Sequence, residues 1–203
     1  PSYVPLSTGG AITCSGITKL ETAVNTEAKW FPWTVSKDGD SLCSGNQKIS
    51  GSYSVLRVTV TGSGVLAYKY RLSTPIKGGN NDWDACTETN PDSLLVWQRH
   101  DANDVLKVYY STAVGEYGAA RVYGEEDWKL GVTKVTATAN ETTEVYFAYK
   151  KNGSINGKQD CVWLKDIIFS DGSAWVEPVS SDPDRGSVTP ASWEGQAGDE
   201  LTL

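Results

Sequence analysis

The chain has 203 residues, 39% hydrophobic and 21% charged. That is a globular composition, long enough to bury roughly 70% of its unfolded surface. Its 25 Asp and Glu outweigh 18 Lys and Arg, and the net charge of −7 argues against nucleic acid or an anionic membrane surface as partner, since both need clustered basic residues. No apolar run approaches the ~18 residues of a membrane span.

The chain opens on Pro1, contains no methionine and carries no signal peptide, and it reads as a processed or excised chain. From Ile17 to Lys29 there is no clean apolar stripe, so this stretch reads as loop or one short helix. A short strand is predicted around 30–35, with Pro32 placing it at a sheet edge. Trp30 and Trp33, three apart, fall on opposite faces there, one of them core.

Residues 54–60 set Leu56, Val58 and Val60 against Arg57 and Thr59. Thr61-Gly62-Ser63-Gly64 is a turn, and 65–72 then alternate Leu66, Tyr68, Tyr70 and Leu72 with Lys69 and Arg71. The two runs read as a hairpin of half-buried strands. Further strands are predicted at 94–99, then at 105–110 after an Asp101–Asp104 turn, and around 119–123 and 132–138. The last two, 143–150 and 161–169, are the most apolar. Many short strands, Gly-rich turns and almost no helix predict an all-β, antiparallel β-sandwich.

Composition shifts near Pro178. Residues 1–178 are expected to form the sandwich, and 179–203 a linker and the start of a following β module, since 25 residues cannot bury a core alone. The four cysteines, Cys14, Cys43, Cys86 and Cys161, have no C-x-x-C spacing, so two disulfides in an oxidising compartment are expected rather than zinc. Three connectivities are open, with Cys14–Cys43 and Cys86–Cys161 as the working pair. Asn140-Glu141-Thr142 and Asn152-Gly153-Ser154 are glycosylation sequons only in a host that glycosylates.

The run Tyr53 to Ser73, entered through Asp40-Ser41-Leu42-Cys43-Ser44-Gly45, resembles a recurring bacterial pattern. Asp104-Val105-Leu106-Lys107-Val108 and Asp127-Trp128 are similar to its next strands. The stretch Val145 to Ser154, followed by Gly157 and Asp160 to Phe169, is similar to its end. The pattern is that of a jelly-roll, lectin-like sandwich related to cleaved-adhesin and MAM-type domains, an accessory module of large secreted proteins. It covers roughly 30–172, and the tail from 180 resembles the start of an InlB-like β-repeat. The resemblance implies a segment of a modular surface or secreted protein with neighbouring domains in the same chain, and not one activity.

Two departures bear on function. Lys165 stands where the family usually has Asp, with Asp166 beside it. Between Ser73 and Asp104 the chain carries an insertion where the family is short, and insertions on a rigid scaffold are where binding is usually placed. The insertion holds Trp83 between Asp82 and Asp84, next to Asn80 and Asn81: an aromatic face with planar polar groups, as a sugar ring needs. Trp97 and Arg99 share a strand face and are expected to form a second platform, with Tyr117 and Tyr123 near another Gly-rich loop. Trp128 and Trp163 are read as core.

A structural calcium ion is the one cofactor the sequence leaves room for, with Asp101, Asp104, Asp160 and Asp166 as weak ligand candidates and no EF-hand spacing. Catalysis has no motif. His100 is the single histidine, Glu125-Glu126-Asp127 alternate in direction along a strand, and no Gly-rich loop precedes a Lys-Ser/Thr pair. The expectation is a non-catalytic module, extracellular or on the cell surface, that binds a polysaccharide or glycan through Trp83, Trp97, Asp82, Asp84, Arg99 and Tyr117. The alternative is an adhesin or spacer domain.

Overall fold

The structure, a computed structural model, describes residues 1–10, 12–74, 92–98, 120–122, 125–152, 158–171, 173–176 and 193–196. Among them all regular structure is β. One sheet runs in the order β1 (Ser2–Pro5), β3 (Lys19–Val24), β6 (Tyr53–Thr61), β11 (Thr142–Lys150), β8 (Ser93–Gln98), β9 (Ala120–Val122). The second runs β10 (Glu125–Val135), β7 (Gly64–Ser73), β12 (Cys161–Asp171), β5 (Leu42–Cys43), β4 (Thr34–Val35). Along the edge of β12 that faces β5, the short β2 (Cys14–Ser15) pairs in parallel. β13 (Ser173–Val176) and β14 (Trp193–Gln196) form a separate antiparallel ribbon that takes one strand from each side of residue 178.

This is the antiparallel sandwich expected from the alternation. Leu56, Val58 and Val60 of β6 and Val145, Phe147 and Tyr149 of β11 face Leu66, Tyr68, Leu72, Val162 and Leu164 of the other sheet, all buried in one cluster. Each large side chain fully buried there contributes roughly 1.5–3 kcal/mol of transfer free energy. Gly131 lies opposite Tyr68 in the β10–β7 register, and a Cβ on it would sit 2.3 Å from the Tyr68 ring, so only glycine lets that ring lie flat across β10.

A second buried cluster lies on the outer face of the first sheet: Ala23, Trp30, Val55, Leu95, Trp97, Tyr146 and Ala148. Trp30 stacks on Tyr53 at 4.9 Å between centroids, and Trp97 on Tyr146 at 5.3 Å.

Three expectations are corrected. The stretch 17–29 contains a strand, β3, because Thr22 and Ala23 are both buried and no one-sided period is left to read. The runs 54–60 and 65–72 are strands, but not a hairpin: β6 belongs to one sheet and β7 to the other, and the turn at Gly62 (φ 80°) carries the chain across the core. Of the predicted strand at 132–138, residues 132–135 end a longer strand that begins at Glu125, and 136–138 lie beyond it.

The disulfide pairing is also corrected. Cys43 bonds Cys161, with 6.8 Å between Cα atoms, and Cys14 is free. The register explains it. Cys43 lies opposite Trp163, and Cys14 opposite Ile167 on the same edge of β12. Four residues of strand separate them by roughly 13 Å, beyond the ~7 Å a disulfide spans.

Candidate functional site

The outer face of the second sheet carries the described side chains best placed to meet a ligand. On β12 the inward Val162 and Leu164 leave Trp163 pointing outward, and the register sets it opposite Arg71 of β7. On the other side of β7, the β10 register jumps from Glu126–Leu72 to Lys129–Tyr70, leaving Asp127 and Trp128 as a bulge opposite Arg71. A bulge re-aims a side chain that regular pairing would fix.

The result is a row across three strands. The Arg71 guanidinium carbon lies 4.1 Å from the Trp163 ring centre and 5.5 Å from that of Trp128. The Lys165 ammonium lies 4.1 Å from the Trp128 ring centre. Lys165 stands at a second irregularity, where the β12–β7 register shifts before Ile168 and Asp166 takes a φ of 50°. Each cation–π contact of this kind stabilises by roughly 0.5–2 kcal/mol.

Trp163 and Arg71 form one wall of an open cleft of about 640 Å³, completed by the β4–β5 edge and its loops, with Ser36, Lys37, Asp38, Gln47 and Gln159 along it. That volume falls within the range of small-ligand sites. Arg71 has no hydrogen-bond acceptor among the described residues, and its Nε is buried without a partner. The Gln159 side chain is exposed, and its backbone N–H donates to the Ser73 hydroxyl at 3.1 Å. The Ser36 hydroxyl donates to Asp38 and holds that carboxyl below its ordinary range, so the cleft keeps a fixed anion beside Lys37. Asp38 is the only carboxylate in the described lining. Acid–base cleavage between two flanking carboxylates has no pair there.

Of the residues singled out from sequence, Trp83, Asp82, Asp84, Arg99, Tyr117, Asp101, Asp104 and Cys86 lie outside the described residues, as do Tyr123, His100 and the run 105–110. Trp97 is corrected. It is 0% exposed and stacked on Tyr146 in the second cluster, so it is a core residue and not a platform. The signal was present in Leu94-Leu95-Val96-Trp97, where continuous apolarity marks a strand buried on both faces.

Asp160 is also corrected as a metal ligand. It is 0% exposed, and both its oxygens are taken, by Lys151 Nζ, the Tyr149 hydroxyl and the Lys48 backbone N–H. No group of three metal-ligating side chains occurs among the described residues.

Trp163, read as core, is buried at 7% exposure, though on the outer face of its sheet and at the wall of the cleft. Trp128, also read as core, is half-exposed and is the aromatic the sequence reading missed. Alternation with Val162 and Leu164 could have placed Trp163 outside, whereas nothing in the sequence marks the bulge that turns Trp128.

No family model and no curated protein matches the chain. Solved structures similar to it in fold include the secreted serine protease VesC from Vibrio cholerae, at 16% identity and a TM-score of 0.48 over 76% of this chain and 24% of that one. The chain thus spans about a quarter of that protein's length. Another is TmCBM61 in complex with beta-1,4-galactotriose, at 8% identity and a TM-score of 0.34, covering 75% of this chain and 81% of that one. A third is a family 16 carbohydrate-binding module, at 13% identity and a TM-score of 0.31, covering 75% and 85%.

Proposed function

We propose that the chain is a non-catalytic carbohydrate-binding module of a larger secreted or surface protein, with the outer face of the second sheet as its glycan-contact surface. One observation carries this reading: Trp163, Arg71 and Trp128 stand in a row across three strands, beside an open cleft lined by amide and hydroxyl side chains. A sugar ring offers an apolar C–H face for stacking and hydroxyls for hydrogen bonding. Trp128 is the half-exposed ring of the row, and Arg71, Gln47 and Gln159 supply donors.

The Cys43–Cys161 bridge supports an extracellular setting. Trp83, with Asp82 and Asp84, Arg99 and Tyr117, is proposed as a second, loop-borne contact, and a structural calcium ion is proposed only with Asp101 and Asp104.

The test is affinity electrophoresis of the chain through gels containing a panel of polysaccharides, with and without calcium. Retention by one class, lost in Trp128→Ala and in Arg71→Ala with circular dichroism unchanged, is the expected result. Retention lost in Trp83→Ala alone moves the site to the insertion, and loss with chelator alone adds the cation. No retention of a folded chain across the panel favours the adhesin or spacer reading. The exposed large hydrophobics among the described residues are Val4 on β1 of one sheet and Leu130 and Val132 on β10 of the other, too few for an extended apolar patch.

A further inference from the structure

At the end of the sandwich where β12 begins, three charged side chains meet with no access to water. Lys151 follows the last residue of β11, Asp160 precedes the first of β12, and Asp92 precedes β8. Their side chains are 1%, 0% and 1% exposed. Lys151 Nζ lies 2.5 Å from both carboxylate oxygens of Asp160 and 2.8 Å from Oδ2 of Asp92.

Equal distances to both oxygens fix where the carbon is. With ordinary C–O bond lengths, Nζ lies no more than about 2.8 Å from Asp160 Cγ. Reacting atoms poised for attack stand about 3–3.5 Å apart, so the nitrogen is already at bonding approach. The surroundings complete a reaction site. The Tyr149 hydroxyl donates to Asp160 Oδ1 at 2.6 Å, and the Lys48 N–H donates to Oδ2 at 3.0 Å. Asp92 is held by the Asn152 N–H at 2.6 Å.

We propose that Lys151 and Asp160 join in an intramolecular amide, with Asp92 as the proton shuttle and the Tyr149 hydroxyl as the donor that stabilises the carbonyl oxygen. Asp92 passes a proton from the Lys151 ammonium to the Asp160 carboxylate, leaving a neutral amine and a neutral acid. The nitrogen lone pair attacks Cγ, and the charge gathers on Oδ1 under the Tyr149 donor. Asp92 then carries a second proton from nitrogen to Oδ2, the Cγ–Oδ2 bond breaks, and water leaves. The sum is one ammonium and one carboxylate giving one amide and one water, with no change of oxidation state.

Burial pushes the Asp92 carboxyl above its ordinary range against the opposing pull of Lys151, which suits a group that must hold a proton in a dry site. The amide also replaces a buried ion pair, whose desolvation cost is high, by a neutral group. It ties a strand of one sheet to a strand of the other, one residue from the disulfide at Cys161.

The test is the intact mass of the full 203-residue chain, reduced and denatured, followed by tryptic mapping. The expected result is a mass one water, about 18 Da, below that of the sequence, with a branched peptide joining Lys151 to Asp160 and no cleavage after Lys151. Asp92→Asn and Lys151→Arg are expected to restore the unbranched mass. A wild-type chain of full sequence mass, cleaved after Lys151, overturns the proposal whatever the variants do. A water loss mapped elsewhere, such as a ring closure at Asp38-Gly39, overturns it too.

Discussion

Arg71 has five N–H donors, no acceptor among the described residues and an indole on each side. A planar guanidinium held flat in this way is preorganised, so little rotamer freedom remains to be lost when a ligand supplies the acceptors. Lys150 shows the opposite use of a cation. Its side chain is buried, it lies over the Tyr53 ring and it donates to the Lys151 carbonyl. Burial pushes its ammonium down to about 8, with Asp92 opposing and Lys151 and Lys29 adding to the push.

A lysine whose folded value lies below its unfolded one costs stability while it is protonated. That cost is present in full below pH 8 and is relieved as pH rises toward the ordinary value of about 10.4. Urea unfolding of Lys150→Met is therefore expected to show a stability advantage over wild type at pH 7.5 that shrinks by pH 10.5. An advantage that grows with pH would contradict the burial assigned to this group.

At the scale of the strand, alternation was readable and pairing was not. Leu56, Val58 and Val60 announced β6, and Leu66, Tyr68 and Leu72 announced β7, because each strand has one face in the core. That pattern is the same whether the turn between them closes a hairpin or arches from sheet to sheet. Here the register of β7 against β10 and β12 decides for the arch. The candidate site was less legible than the fold. It rests on the β10 bulge and on which strand lies beside Arg71, and both are properties of pairing. The cysteines follow the same logic, since the β5–β12 register selects Cys161 as the partner of Cys43.

The bridge spans 118 residues of sequence, and closing a loop of that size removes much freedom from the unfolded chain. Reduction, or Cys43→Ala, is expected to lower unfolding free energy by about 2–4 kcal/mol in a urea titration. A change below about 0.5 kcal/mol would mean that the unfolded chain is already constrained, as a Lys151–Asp160 amide alone cannot make it across so long a loop.

Among the described residues, the tryptophans divide by the face they occupy. Trp33 fills the core between the sheets, and Trp30 and Trp97 fill the cluster outside the first sheet. Trp128 and Trp163 lie outside the second, among cations, in a chain whose net charge is −7. On the proposed reading, this stretch of basic and aromatic groups on an otherwise acidic molecule would serve as a local contact surface rather than a general electrostatic attractor.

The most direct test is a titration with an oligosaccharide from the polysaccharide that retains the chain, followed through the indole N–H signals of its eight tryptophans. Shifts are expected at Trp128 and Trp163 and none at Trp33 or Trp97. Saturable shifts that leave Trp128 and Trp163 unmoved would contradict it and place the glycan elsewhere on the molecule.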